Sequence, residues 1–151
     1  MRKLAAIVAM AALVAGATYS SDEADIVATI KGFVTAFNAG DTTAVANTCA
    51  AETSIIDEFP PHEWHGAGSC MKWVHDWTAD ADKNGITDAV VTLGKPTHVD
   101  VSGKVAYVVV PADYTFKMKG KTVKERGSIL AVSLVRTDSG WKMTGWSWAK
   151  H

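Results

Sequence analysis

The sequence is short of several things: it has four prolines, two cysteines, no surplus of basic over acidic residues and no long apolar run. Each shortage excludes something. With no internal repeat, low-complexity stretch or Pro-rich linker, the chain offers no boundary between domains and reads as one unit. Its longest apolar run, Leu4 to Val14, has about eleven residues, too few for a helix to cross roughly 30 Å of hydrocarbon. Fifteen Lys and Arg stand against sixteen Asp and Glu, so no basic excess exists for general nucleic-acid binding. What is present is a globular composition, 48% hydrophobic and 21% charged over 151 residues, enough to close one core.

The first residues differ from the rest. Arg2 and Lys3 precede the apolar run, which ends in Ala15-Gly16-Ala17. That pattern predicts a secretory leader cleaved after Ala17, and hence a periplasmic or secreted protein with residues 18–151 as its single domain. No Cys follows the run to carry a lipid anchor, and nothing later could hold the processed chain in a membrane. Loss of Arg2 and Lys3 leaves 13 basic against 16 acidic residues, a net charge of −3 with His neutral. An oxidising compartment makes a Cys49–Cys70 disulfide the natural reading of two cysteines, a link of about 3 kcal/mol by chain entropy. Two buried thiols on neighbouring helices are the alternative.

Helical periodicity dominates the first half. Ser20 and Glu23 form a capping box, followed by Ile26, Ile30, Phe33, Val34 and Phe37 on one stripe that ends at Gly40. Asp41 caps a shorter helix through Thr48. Thr53 to Phe59 reads as a strand stopped by Pro60-Pro61. A third helix follows Gly68, with Cys70, Trp73, Val74 and Trp77 inward and Asn84-Gly85 as its end. From Ile86 onward the chain is strand and turn: 86–93, 97–101, 104–118, 122–136 and 141–148, with Ser102-Gly103, Lys119-Gly120 and Ser139-Gly140 between them. Pro111 is expected to bend or bulge the third of these. The prediction is an α+β fold, three helices packed on one face of a strongly curved antiparallel sheet.

This order resembles the nuclear transport factor two-like superfamily, which includes SnoaL-like proteins and ketosteroid isomerases. The resemblance follows Ile30 to Asp57 without a gap, with Gly40-Asp41 at the helix junction, then His65-Gly66 before the third helix and the Trp-ending last strand. It implies a cone with an apolar interior that holds a small molecule, and often a homodimer. It places the isomerases' general base on Asp57, but Phe33 falls where they carry an oxyanion-binding Tyr, and the position of their protonated acid falls near Val132. Enolisation depends on such electrophilic help, so steroid isomerisation is not implied.

Alternation sets Ile55, Asp57 and Phe59 on one face, expected to be the concave one. Desolvation there would raise the Asp57 carboxyl toward proton-transfer range. An Asp bonded to turn amides or to an indole N–H is the equal alternative. His62 and His65 lie in a sequence one residue short of H-E-x-x-H, so no metal is expected, and in an extended segment at most one could reach the pocket as a second proton-transfer group. Phe33, Phe37, Asp57, Trp64, Tyr107, Val132, Trp146 and Trp148 are the expected ligand contacts, with Thr144 as a polar handle beside the last two. Asp113 and Tyr114 are further polar candidates whose facing the Pro111 bend leaves open. The lysine-rich turn around Gly120, including Lys124, Glu125 and Arg126, reads as a solvated edge. No cofactor is expected. The expected function is binding of a small apolar molecule, with a cofactor-free isomerase or lyase using Asp57, or a non-catalytic dimerisation module, as alternatives.

Overall fold

The computed structural model describes residues 20–151, so the expected leader lies outside the described residues. Helix α1 (Ser21–Ala39) starts where both halves of the Ser20/Glu23 capping box form and ends at Gly40, whose φ of 69° suits a residue without Cβ. Helix α2 (Thr42–Thr48) is capped by the Asp41 side chain, which accepts from the Ala44 N–H at 2.9 Å. Strand β1 (Cys49–Ile56) follows without a loop and turns back antiparallel into β2 (Glu63–Ala67). Helix α3 (Ser69–Asn84) then ends on left-handed Gly85. The remainder is β3 (Ile86–Leu93), β4 (His98–Ser102), β5 (Val105–Met118), β6 (Lys121–Thr137) and β7 (Gly140–Ala149).

The seven strands form one sheet in the order β2-β1-β7-β6-β5-β3, with β4 pairing the first half of β5 and β3 the second. It is curved and unclosed, with the helices on its concave side. One pairing corrects the wholly antiparallel expectation: β1 runs parallel to β7. Strand alternation is the same for either direction, and no short turn joins these two strands to dictate a hairpin. The first strand also runs Cys49–Ile56 instead of Thr53 to Phe59, and the extended segment after Pro60-Pro61 forms a paired strand, β2. Residues 49–52 and β2 show little inward alternation; of β2 only Trp64 is fully buried.

Two bulges set which side chains face inward. Opposite Asp113 of β5, strand β6 carries both Arg126 and Gly127, with Gly127 at φ 75° and its N–H donated to Asp113 Oδ1 at 3.0 Å. Pro111 itself stays paired with Ile129, where β5 changes partner from β4 to β3. In β7 the pairing shifts between Ser133–Gly145 and Leu134–Met143, which leaves Thr144 as the extra residue, its hydroxyl donating to Ser133 Oγ. At Gly145 the β1 backbone comes so close that an added Cβ would collide with the Ser54 carbonyl oxygen.

One end of the concave side is packed solid. Ile26 and Ile30 of α1, Val45 of α2, Val108 and Val110 of β5, Val132 and Leu134 of β6, and Met143 of β7 are almost wholly buried. A Cys49–Cys70 disulfide ties the α2–β1 junction to the first turn of α3.

Candidate functional site

At its other end the same concave face is hollow. A cavity of about 490 Å³ lies between the last turns of α1, helix α3 and strands β3 and β5 to β7, within the roughly 300–1,000 Å³ of small-molecule sites. Its walls are aromatic: Phe33 and Phe37 from α1, Trp73 and Trp77 from α3, Tyr114 and Phe116 from β5, Trp146 and Trp148 from β7. The rings brace one another. Phe33 meets Trp146 at 4.8 Å between centroids, Trp73 stands edge-on to Trp146 at 5.2 Å, and Phe37 packs edge-on to Trp77 at 4.7 Å.

The polar lining comprises Asp57, Glu58, Glu125 and Lys150, with Asp80, Lys83 and Asn84 from the end of α3. Asp57 lies just past β1, its backbone N–H donated to the His62 carbonyl at the base of the β1–β2 turn. Its Oδ1 accepts the Glu58 N–H at 2.7 Å and its Oδ2 accepts the Trp73 indole N–H at 2.9 Å. Both readings of this residue therefore coexist: it lines the cavity and is bonded to an amide and an indole. Burial pushes its carboxyl up to about 6, against the lowering effect of those two donors. Asp76 provides the control. It too accepts an indole N–H, from Trp64 at 2.9 Å, but the Lys72 ammonium and that indole hold it down at about 2.

Lys150 donates to Glu58 Oε2 at 2.7 Å and to Glu125 Oε1 at 2.5 Å. Burial raises the Glu58 carboxyl, with Lys150 opposing and Glu125 adding to the rise. Its two carboxylate partners hold the Lys150 ammonium above the usual lysine range. Glu125 Oε2, the Tyr114 hydroxyl and the Trp148 indole N–H are buried without a hydrogen-bond partner among the described residues. Burial also pushes the Tyr114 phenol upward.

The profile of the SnoaL-like domain family matches residues 26–147. The chain belongs to this family. No curated protein matches it in sequence. Among solved structures it is similar to an NTF2-like protein with a cystatin-like fold from Novosphingobium aromaticivorans, at 19% identity and TM-score 0.68 over 85% of this chain and 81% of that one. A ketosteroid isomerase-like protein from Erwinia carotovora atroseptica aligns at 18% identity and TM-score 0.68 over 87% and 98%. An NTF2-like superfamily protein from Salmonella enterica aligns at 14% identity and TM-score 0.73 over 86% and 91%. At these identities the likeness establishes the SnoaL-like architecture alone.

Within this SnoaL-like cone, Phe33, Phe37, Asp57, Trp146 and Trp148 reach the cavity as expected from sequence. Others do not. Trp64 is drawn away by its bond to Asp76 and packs behind Phe59 at 4.9 Å. Tyr107 is on the outer face of β5, 47% exposed and facing His98. Val132 is sealed in the packed end, and Thr144 is absorbed by the β7 bulge. His62 is exposed outside the cavity lining, its ring Nδ1 3.2 Å from the Asp57 carbonyl oxygen, and His65 sits against Ser54 Oγ and Glu63 on the hairpin. Neither lines the cavity beside the Asp57 carboxylate.

Sequence reasoning passed over Glu58, Glu125 and Lys150 as site residues, and assigned Trp73 and Trp77 only to the core stripe of α3. Unbroken alternation back from Leu130 would turn Arg126 and Lys124 inward. The Arg126–Gly127 bulge reverses that and brings Glu125 in, its side chain 9% exposed. A glycine inside a strand was the available signal. Among the described residues no group of three or more His, Cys, Asp or Glu side chains could hold a metal, and no helix is long and apolar enough to cross a membrane.

Proposed function

We propose that this protein is an exported SnoaL-like pocket protein that binds a small, flat, largely apolar molecule, with Asp57 at the polar part of its site. The observation that carries this reading is a cavity of about 490 Å³ left open between aromatic walls, despite six tryptophans available to fill it. The Arg2–Ala17 leader pattern supports export, and one disulfide suits an oxidising compartment. Trp73, Trp77, Trp146 and Trp148 make the cavity self-reporting. Titration with a panel of small aromatic and alicyclic compounds should quench tryptophan emission saturably, and mass spectrometry should recover the ligand unchanged. A panel that leaves the emission unaltered overturns this reading.

A second reading is favoured by the raised Asp57 carboxyl in an apolar wall: a cofactor-free isomerase or lyase in which Asp57 removes a proton next to a carbonyl. Asp57→Asn would then abolish turnover of a converted panel compound while leaving its binding within a few fold; unaltered turnover rules the base out. Pairing of two copies through the outer sheet face, where Val105 and Tyr107 are exposed, is the assembly consistent with either reading. Light scattering that finds a monomer at high concentration excludes it.

A further inference from the structure

The polar lining of the cavity is lopsided. Four carboxylates, Asp57, Glu58, Asp80 and Glu125, stand against two ammonium groups, Lys83 and Lys150. Lys150 already engages one oxygen of Glu58 and one of Glu125 from a half-exposed position. Asp57 receives only neutral donors, an amide and an indole. The Glu125 side chain is 9% exposed, and its second oxygen has no partner among the described residues. The Tyr114 hydroxyl, which can donate as well as accept, and the Trp148 indole N–H, a donor, are unpartnered too, but both are neutral. Carboxylates therefore outnumber ammonium groups beside an apolar space, where uncompensated charge is costly.

We propose that the molecule bound here carries a protonated amine on its apolar body, the ammonium lying toward Asp57 and Glu125 and the body lying among the indoles. The inference rests on the pocket reading above and narrows its ligand class. An ammonium supplies up to three donors and no acceptor, which matches the surplus. Indole faces attract cations through their ring quadrupole, so the wall adds to the same preference. A carboxylate ligand would meet like charge, and a neutral alcohol would leave the excess charge uncompensated. Lys150 shows the mode of recognition within the chain itself, one ammonium held between two carboxylates.

Three compounds of one skeleton test it: 4-phenylbutylamine, 4-phenylbutanol and 4-phenylbutyrate, titrated calorimetrically into the intact protein at neutral pH and low salt. The amine should bind about tenfold or more tighter than the alcohol, with the carboxylate weakest. An alcohol or carboxylate that binds as tightly as the amine overturns the inference and leaves the pocket reading standing. So does silence from all three while a neutral panel compound still quenches the tryptophans. Silence from these three and the whole panel removes the pocket reading itself. In Glu125→Gln or Asp57→Asn, each checked for fold by circular dichroism, the preference for amine over alcohol should shrink by roughly tenfold in at least one variant. If it is unaltered in every variant that folds, the assignment fails. Asp57→Asn carries this test if the buried Glu125→Gln does not fold.

Discussion

Leu134 and Leu130 stand four residues apart on the inward face of β6, both almost wholly buried, yet one is sealed in the packed end of the cone and the other borders the cavity. The alternation that points them inward is identical. What differs is the company across the gap. Leu134 pairs with Ala106 of β5 and Met143 of β7, in the part of the core that Ile26, Ile30 and Val45 close from the helix side with aliphatic side chains. Around Leu130 the opposing surfaces carry rings, and Phe33, Phe37, Trp73, Trp77 and Trp146 lean on one another instead of filling the middle. A cavity here results from large rigid side chains bracing two layers apart, not from a lack of hydrophobic residues.

The comparison breaks most visibly if the two leucines prove equivalent. Leu134→Ala should cost about 4 kcal/mol in urea unfolding, near the upper part of the range for buried leucines, because it opens a new void in a filled region. Reduction of the Cys49–Cys70 link should come next, at about 3 kcal/mol, seen as a lower unfolding midpoint with dithiothreitol. Leu130→Ala should cost only about 2 kcal/mol, since part of its surface already faces open space, and should enlarge the cavity enough to admit bulkier ligands. Equal costs for Leu130 and Leu134 would mean that the hollow end is filled in solution.

The hollow end also has its own pH signature. The Asp57 carboxyl titrates near 6 in the fold and near 3.8 as an ordinary aspartate. Between those values the folded protein holds a proton that the unfolded chain has shed, so stability falls as pH rises from about 4 to 6 and the deficit persists above it. Asp57→Asn should remove the deficit, raising stability by up to about 3 kcal/mol at pH 8 and leaving it unchanged near pH 3.5. Asp76 should show the opposite sign with a smaller effect. Its carboxyl is held at about 2, so its contribution is present above about pH 4 and lost as pH falls toward 2. Asp76→Asn should therefore weaken the fold at neutral pH and match the parent at pH 2, in thermal melts across that range.

Much of this architecture was legible before any coordinates. The α1 stripe, its capping box, the left-handed glycines and the long alternating strands each carry a local signal strong enough to place an element. The site was less legible. Phe33, Phe37, Trp146 and Trp148 could be assigned to a concave wall because period and face agree along their elements. Trp64 shows the same aromatic signal but is captured by Asp76, a partner twelve residues away whose role no local pattern reveals. Glu125 was hidden because a single bulge inverts the parity of β6, and Lys150 because it follows the last strand with no periodicity of its own.

By itself, the order of residues determined the three helices, the long strands after Ile86 and which of their faces are apolar, since those follow from local backbone preference and a repeating period, whereas β2 and the start of β1 carry no such period. Only the tertiary structure decided that β1 lies parallel to β7, that Glu125 joins Asp57 at the polar lining, and that braced rings keep one end of the cone open. Those outcomes depend on contacts between residues far apart in the chain, where the geometry of several elements must be satisfied at once.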